Sequence, residues 1–265
     1  MHYSLLQILR SSFPNRALTT RRLGSGLEAL DALLDGGLVR GRISEIIGPI
    51  GSGRTTIATC FASVATRAGE IIAWIENTHN FDPAAIAAGS ASLEQILWAS
   101  VDDRRQLFPG SAGRLYRGRP ATVAQAAELV LKAGGFGLVV IDFGASAVPL
   151  PQSIALRLAR EAERSGAAVI VIAPHQVCGA FAALSLKLMR IEASFNRPAS
   201  ASPWLFDGLV IQASAMRNKL GRAGASTIVC AAIEPLVLGA RPRRELMRRE
   251  NHVLSAPDRL DASRI

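Results

Sequence analysis

Several things are scarce in this 265-residue chain. Cysteine occurs only as Cys60, Cys178 and Cys230, scattered, odd in number and without C-x-x-C spacing. That excludes a disulfide framework and a zinc site of the usual ligand spacing, and a reducing cytoplasm is the expectation. No run of about 18–20 uncharged apolar residues is present, so no membrane-spanning helix is expected. Aromatic residues make up 5% of the chain, and lysine is nearly replaced by arginine, 3 against 27. No acidic residue precedes Glu28. Organelle transit peptides share that look, but the arginine bias runs through the whole chain and is not a local targeting signal.

What is present is an apolar content of 49%, enough for one full-sized core. The net charge of +9 sits mostly on the two ends. Residues 1–22 carry +4 and residues 241–265 carry +3, leaving the middle nearly balanced. Basic ends of this kind hold nucleic acid through phosphates, dock on an acidic partner, or are simply solvated. Tyr3–Arg10 has the pattern of a short amphipathic helix, a candidate oligomerisation or interaction element. Three segments follow: a basic N-terminal segment (1–22), a core (23–238), and a basic tail (239–265) rich in Arg, Pro and polar residues, where compact structure is not expected.

Within the core, apolar runs at Arg42–Ile47, Ile71–Ile75, Ile96–Val101, Leu138–Ile141 and Ala168–Ala173 read as strands covered on both faces. Helical patterns at Thr55–Ala68, Pro83–Ala88, Thr122–Ala133 and Pro151–Ser165 alternate with them. The order predicts an α/β fold with a mainly parallel sheet. Alternation at Leu186, Leu188 and Arg190, then Leu209–Ser214 and Ser226–Ala232 around the turn Asn218–Gly221, predicts C-terminal antiparallel strands extending one edge.

Gly48-Pro49-Ile50-Gly51-Ser52-Gly53-Arg54-Thr55-Thr56 follows the first apolar strand and opens the first long helix. In the pattern G-x-x-x-x-G-K-[ST], glycines let backbone amides curl around a phosphate and the helix N-terminus adds a positive dipole end. Here Arg54 stands at the lysine position, and a planar guanidinium cannot act as a point charge inside the loop. Thr55 is placed to reach Mg²⁺, and Asp142, ending Leu138–Ile141, is placed to hold a metal-linked water. Glu76 and Gln176 end two other strands, whose carboxyl ends converge on one crevice. An ion pair between Arg54 and Glu76 or Asp142 across an empty site is the competing expectation. His79 and His175 have no ligand cluster around them in sequence and are expected to be structural.

The order of these motifs resembles the RecA recombinase family. Leu38–Pro49 is similar to that family's entry into its phosphate loop, and Ile75–Pro83 to its second-strand motif. Ile141-Asp142 matches the metal-linked Asp, and His175-Gln176 the Asn-Gln that senses the γ-phosphate. Met216–Lys219 resembles the basic hairpin with which Arg217 and Lys219 would reach a neighbour's nucleotide. The resemblance spans about residues 23–233 and implies a RecA-like P-loop core, with ATP and Mg²⁺ as cofactors.

The departures are specific. Besides Arg54, Thr78 stands where the family has its water-positioning glutamate, and Glu76, two residues earlier on the same face, is the substitute. The segments Phe143–Pro151 and Val177–Gly179 are much shorter than the family's DNA-binding loops, and a short basic tail stands in place of its large C-terminal domain. The chain looks most like the ImuA group of short RecA-like mutagenesis proteins. That resemblance implies a catalytically degenerate accessory role in translesion synthesis after DNA damage, in the bacterial cytoplasm or nucleoid. The implied partners are RecA or an ImuB-like polymerase subunit, with homo-oligomers and DNA contacts through the basic ends. Two alternatives stay open: a working ATP-dependent recombinase or repair ATPase, and a RecA-fold cell-division or signalling regulator that does not act on DNA.

Overall fold

The computed structural model describes residues 21–77, 80–101, 119–145, 149–196 and 205–232. Two strands of two residues, β1 (Arg22–Leu23) and β2 (Leu38–Val39), flank helix α1 (Glu28–Leu33) and pair antiparallel. The main body then alternates: β3 (Ile43–Ile47), α2 (Arg54–Arg67), β4 (Ile71–Glu76), α3 (Pro83–Ala88), β5 (Ile96–Ser100), α4 (Arg119–Ala133), β6 (Phe136–Asp142), α5 (Gln152–Ser165) and β7 (Ala168–Ala173). A long hairpin, β8 (Ala182–Asn196) and β9 (Leu205–Asn218), and strand β10 (Ser226–Ala232) complete it.

One eight-stranded sheet has the order β10-β9-β8-β3-β7-β6-β4-β5. The strands from β8 to β5 are mutually parallel, whereas β9 runs antiparallel to both β8 and β10. The fold is therefore α/β, mainly parallel, extended at one edge by antiparallel C-terminal strands, as the residue pattern predicts. Every residue of β3, β6 and β7 is buried, which is why these strands read as unbroken apolar runs.

Two cores lie on opposite faces. One gathers Leu30 from α1 and Ile57 and Phe61 from α2 against Trp74, Leu186 and Ile211. The other gathers Val123 and Leu131 from α4 and Ile154 and Leu158 from α5 against Ile75, Ile141 and Val169. Burying each such side chain contributes about 1.5–3 kcal/mol. α3 is short but well started: Asp82 accepts hydrogen bonds from the Ala84 and Ala85 amides and Pro83 occupies the first turn.

Arg22 joins the core by donating to the carbonyls of Leu34, Gly37 and Leu220, tying β1 to the β9–β10 turn. The expected interaction element at Tyr3–Arg10 and the basic tail 239–265 lie outside the described residues, as do Thr78 and His79. Among the described residues no helix is long and apolar enough to cross a membrane.

Candidate phosphate site

β3 ends at Ile47, and the chain turns through Gly48–Gly53 into α2. Gly51 and Gly53 have φ of 74° and 88°, in the left-handed region that favours glycine. Gly53 also has no room for a side chain: a Cβ there would lie 2.3 Å from Ile211 Cδ1. As N-cap it leaves α2 without a side-chain cap, so the first amides of the helix keep their hydrogen-bonding capacity. Ser52 is 1% exposed and its Oγ has no hydrogen-bond partner. That hydroxyl lies 2.6 Å from where a Cβ on Gly48 would be, so it turns into the curl of the loop. A buried orphan hydroxyl beside uncapped helix amides fits a phosphate group.

The groups beyond the loop are arranged differently. Arg54 is buried, and its Nη1 donates to the Gly144 carbonyl at 3.2 Å. Burial pulls its guanidinium below the usual arginine range, and the nearby charge of Asp142 opposes that shift. Asp142 is itself buried and accepts from the Gly144 amide at 2.7 Å. Burial pushes its carboxyl up and Glu76 adds to the rise, while the Gly144 amide and Arg54 lower it. The Arg54 charge near Asp142 offsets part of that carboxylate's pull on a divalent cation, while Glu76 adds to it. Thr55 is exposed at the start of α2 and Thr56 is half-buried.

Glu76 is fully buried and in register with Asp142 on the neighbouring strand. Its carboxylate accepts from the Asn80 amide at 2.8 Å, the Phe81 amide at 3.2 Å and Trp98 Nε1 at 3.0 Å. Phe81 stacks on Trp98 with ring centroids 5.3 Å apart and meets Trp74 edge-on at 5.6 Å. Glu76 thus fastens the segment after β4.

Gln176 and His175 are exposed in the turn after β7. Arg217 and Lys219 donate within the same chain to the carbonyls of Gly179 and Ala180. The structure therefore brings Arg54, Asp142 and Glu76 together below the loop and leaves Gln176, Arg217 and Lys219 at the surface beyond β7. Among the described residues no group of three or more His, Cys, Asp or Glu side chains gathers as a metal site.

Two residues escape a reading of sequence alone. Glu45, fully buried in the middle of β3, accepts from the Val177 and Cys178 amides at 2.7 Å each and from Ser185 Oγ at 2.8 Å. Burial, reinforced by the Glu45 charge, pushes the Cys178 thiol well above its ordinary value. The signal was there, a lone acid inside an apolar strand. The second residue is Arg190, which β8 carries to the tip of the glycine loop. Glu45, Glu76 and Asp142 share one role, each accepting backbone amides from the loop that follows a strand end.

The chain is similar to known proteins over part of its length. The RecA N-terminal domain matches residues 10–109. RecA of Rubrobacter xylanophilus is 34% identical over 128 residues, which is 48% of this chain and 33% of that protein. RecA of Streptococcus pyogenes is 37% identical over 128 residues, 48% of this chain and 30% of that protein. The matched stretch thus spans about a third of the length of these relatives. A solved RadB recombinase superposes with a TM-score of 0.54 over 78% of this chain and 94% of its own, at 18% identity, which speaks to the fold.

Proposed function

Starting from a RecA-fold, recombinase-like protein, we propose a catalytically degenerate accessory factor in DNA-damage-induced mutagenesis and translesion repair. It holds a phosphate-bearing ligand in the Gly48–Gly53 loop and acts by protein contacts with RecA or an ImuB-like polymerase subunit. The observation that carries this reading is Arg54. The residue that should project a cation at the transferred phosphate instead donates to Gly144 beside Asp142. Phosphoryl transfer depends almost wholly on placed charge, to which Mg²⁺ held through the nucleotide by Thr55 would contribute. Glu76 is the nearest replacement for a water-positioning base, yet its carboxylate is engaged by the Asn80 and Phe81 amides and Trp98. Arg217 and Lys219 are engaged within their own chain, which supports a subunit that contacts a RecA-type neighbour without completing its nucleotide site.

A second reading, a recombinase or repair ATPase, is favoured by the RecA similarity over residues 10–109 and by Thr55 and Asp142 standing at the family's positions. Phosphate release with and without single-stranded DNA separates the two. The accessory reading expects none above background, together with co-purification of RecA or a polymerase subunit from the native host after DNA damage. Robust DNA-stimulated release without such partners overturns it in favour of the ATPase.

A further inference from the structure

The β8–β9 hairpin does more than widen the sheet. The pairing of β3 with β8 ends at Ile47 and Lys187, but β8 runs on to Asn196, so the hairpin passes alongside the glycine loop. Contact between them is close. A Cβ on Gly48 would lie 2.4 Å from the Leu188 carbonyl oxygen, and Gly53 abuts Ile211. Ile211 is the register partner of Arg190, and a bulge follows between Arg190 and Glu192. Arg190 is exposed, and its Nη1 lies 3.5 Å from where a Cβ on Gly51 would be. It makes no hydrogen bond or ion pair with any described residue. A guanidinium with no counter-ion among the described residues thus stands at the tip of a loop whose interior holds the orphan Ser52 hydroxyl.

We infer that Arg190 is the cation that holds the ligand's phosphates, doing from the hairpin what Arg54 no longer does from within the loop. The ligand class is a polyphosphate chain such as that of a nucleoside triphosphate, which a planar fork of N–H donors grips from outside the cradle. This rests on the reading of Gly48–Gly53 as a phosphate cradle. It also makes ligand binding tie the hairpin to the loop, two elements far apart in sequence.

The test is calorimetric titration of the full chain with ATP and, separately, tripolyphosphate in metal-free buffer. The variants are Arg190→Ala, Arg190→Lys and, as a control for lost surface charge, Arg222→Ala in the exposed β9–β10 turn. Tenfold or greater weakening of both ligands is expected in Arg190→Ala, partial recovery in Arg190→Lys, and a change under twofold in Arg222→Ala. Wild-type binding that survives Arg190→Ala within twofold, or falls equally in Arg222→Ala, overturns the role of Arg190 and leaves the cradle standing. Failure of the wild-type chain to bind either ligand overturns the cradle and with it this inference. Thermal melts of each variant show whether the fold is intact, as expected for changes at exposed positions.

Discussion

Replacing Glu45 by alanine should show how the carboxyl edge of the sheet is held. The wild-type carboxylate accepts three hydrogen bonds, two from the Val177 and Cys178 amides to one oxygen and one from Ser185 to the other. Orphaning a buried donor costs about 1–3 kcal/mol. Three such losses are partly offset, because the variant no longer desolvates a charge, a cost of several kcal/mol. The net loss expected for Glu45→Ala is about 3 kcal/mol. For a domain of this size that is a fall of about 6–12 °C in Tm. Glu45→Gln keeps a carbonyl for both amides and lets the Ser185 hydroxyl turn to accept, so it should lose only about 1 kcal/mol. Urea unfolding gives the free energies, and hydrogen exchange at the Val177 and Cys178 amides localises the effect. Equal losses in the two variants, or unchanged exchange at those amides in Glu45→Ala, would refute the reasoning.

Three further outcomes follow from the site. Gly53→Ala should destabilise by about 1–3 kcal/mol, because it forces a left-handed φ of 88° and a clash with Ile211; a melt within 1 °C of wild type would count against the loop geometry. Asp142→Asn should raise stability at neutral pH. A carboxyl whose folded pKa is raised favours the fold below its unfolded pKa of about 3.9, and loses that contribution as pH rises through the folded value. The gain over wild type in urea unfolding should therefore appear at pH 7 and shrink toward pH 3; a pH-independent difference contradicts the assignment. Arg54→Lys should restore a point charge to the loop and raise ATP affinity in calorimetry, and no gain would mean that the arginine is not the defect.

The fold was legible where burial leaves a plain mark. β7 and α3 have the expected bounds, since Ala168–Ala173 is buried on both faces and Asp82-Pro83 is a strong helix start. β8 was legible only from Leu186 to Arg190, because bulges before Leu186 and after Arg190 break the two-residue period. β1 and β2, two residues each, carry no periodicity to detect. At the site, the glycine loop and the acid ending β6 could be read directly. The bond from Arg54 to the Gly144 carbonyl could not, because Gly144 is brought near through the β3–β7–β6 strand order, although an Arg54–Asp142 pairing is among the expectations. The engagement of Glu76 likewise depends on Trp98, which reaches it only through the pairing of β4 with β5.

The most direct measurement is ATP hydrolysis by the purified chain, wild type beside Arg54→Lys, with single-stranded DNA and Mg²⁺ at saturating nucleotide. With Arg54 held against Gly144 and Asp142, wild type should release no phosphate above the protein-free background, whether or not DNA is present. Rapid, DNA-stimulated turnover by the wild-type chain would contradict the account at its centre.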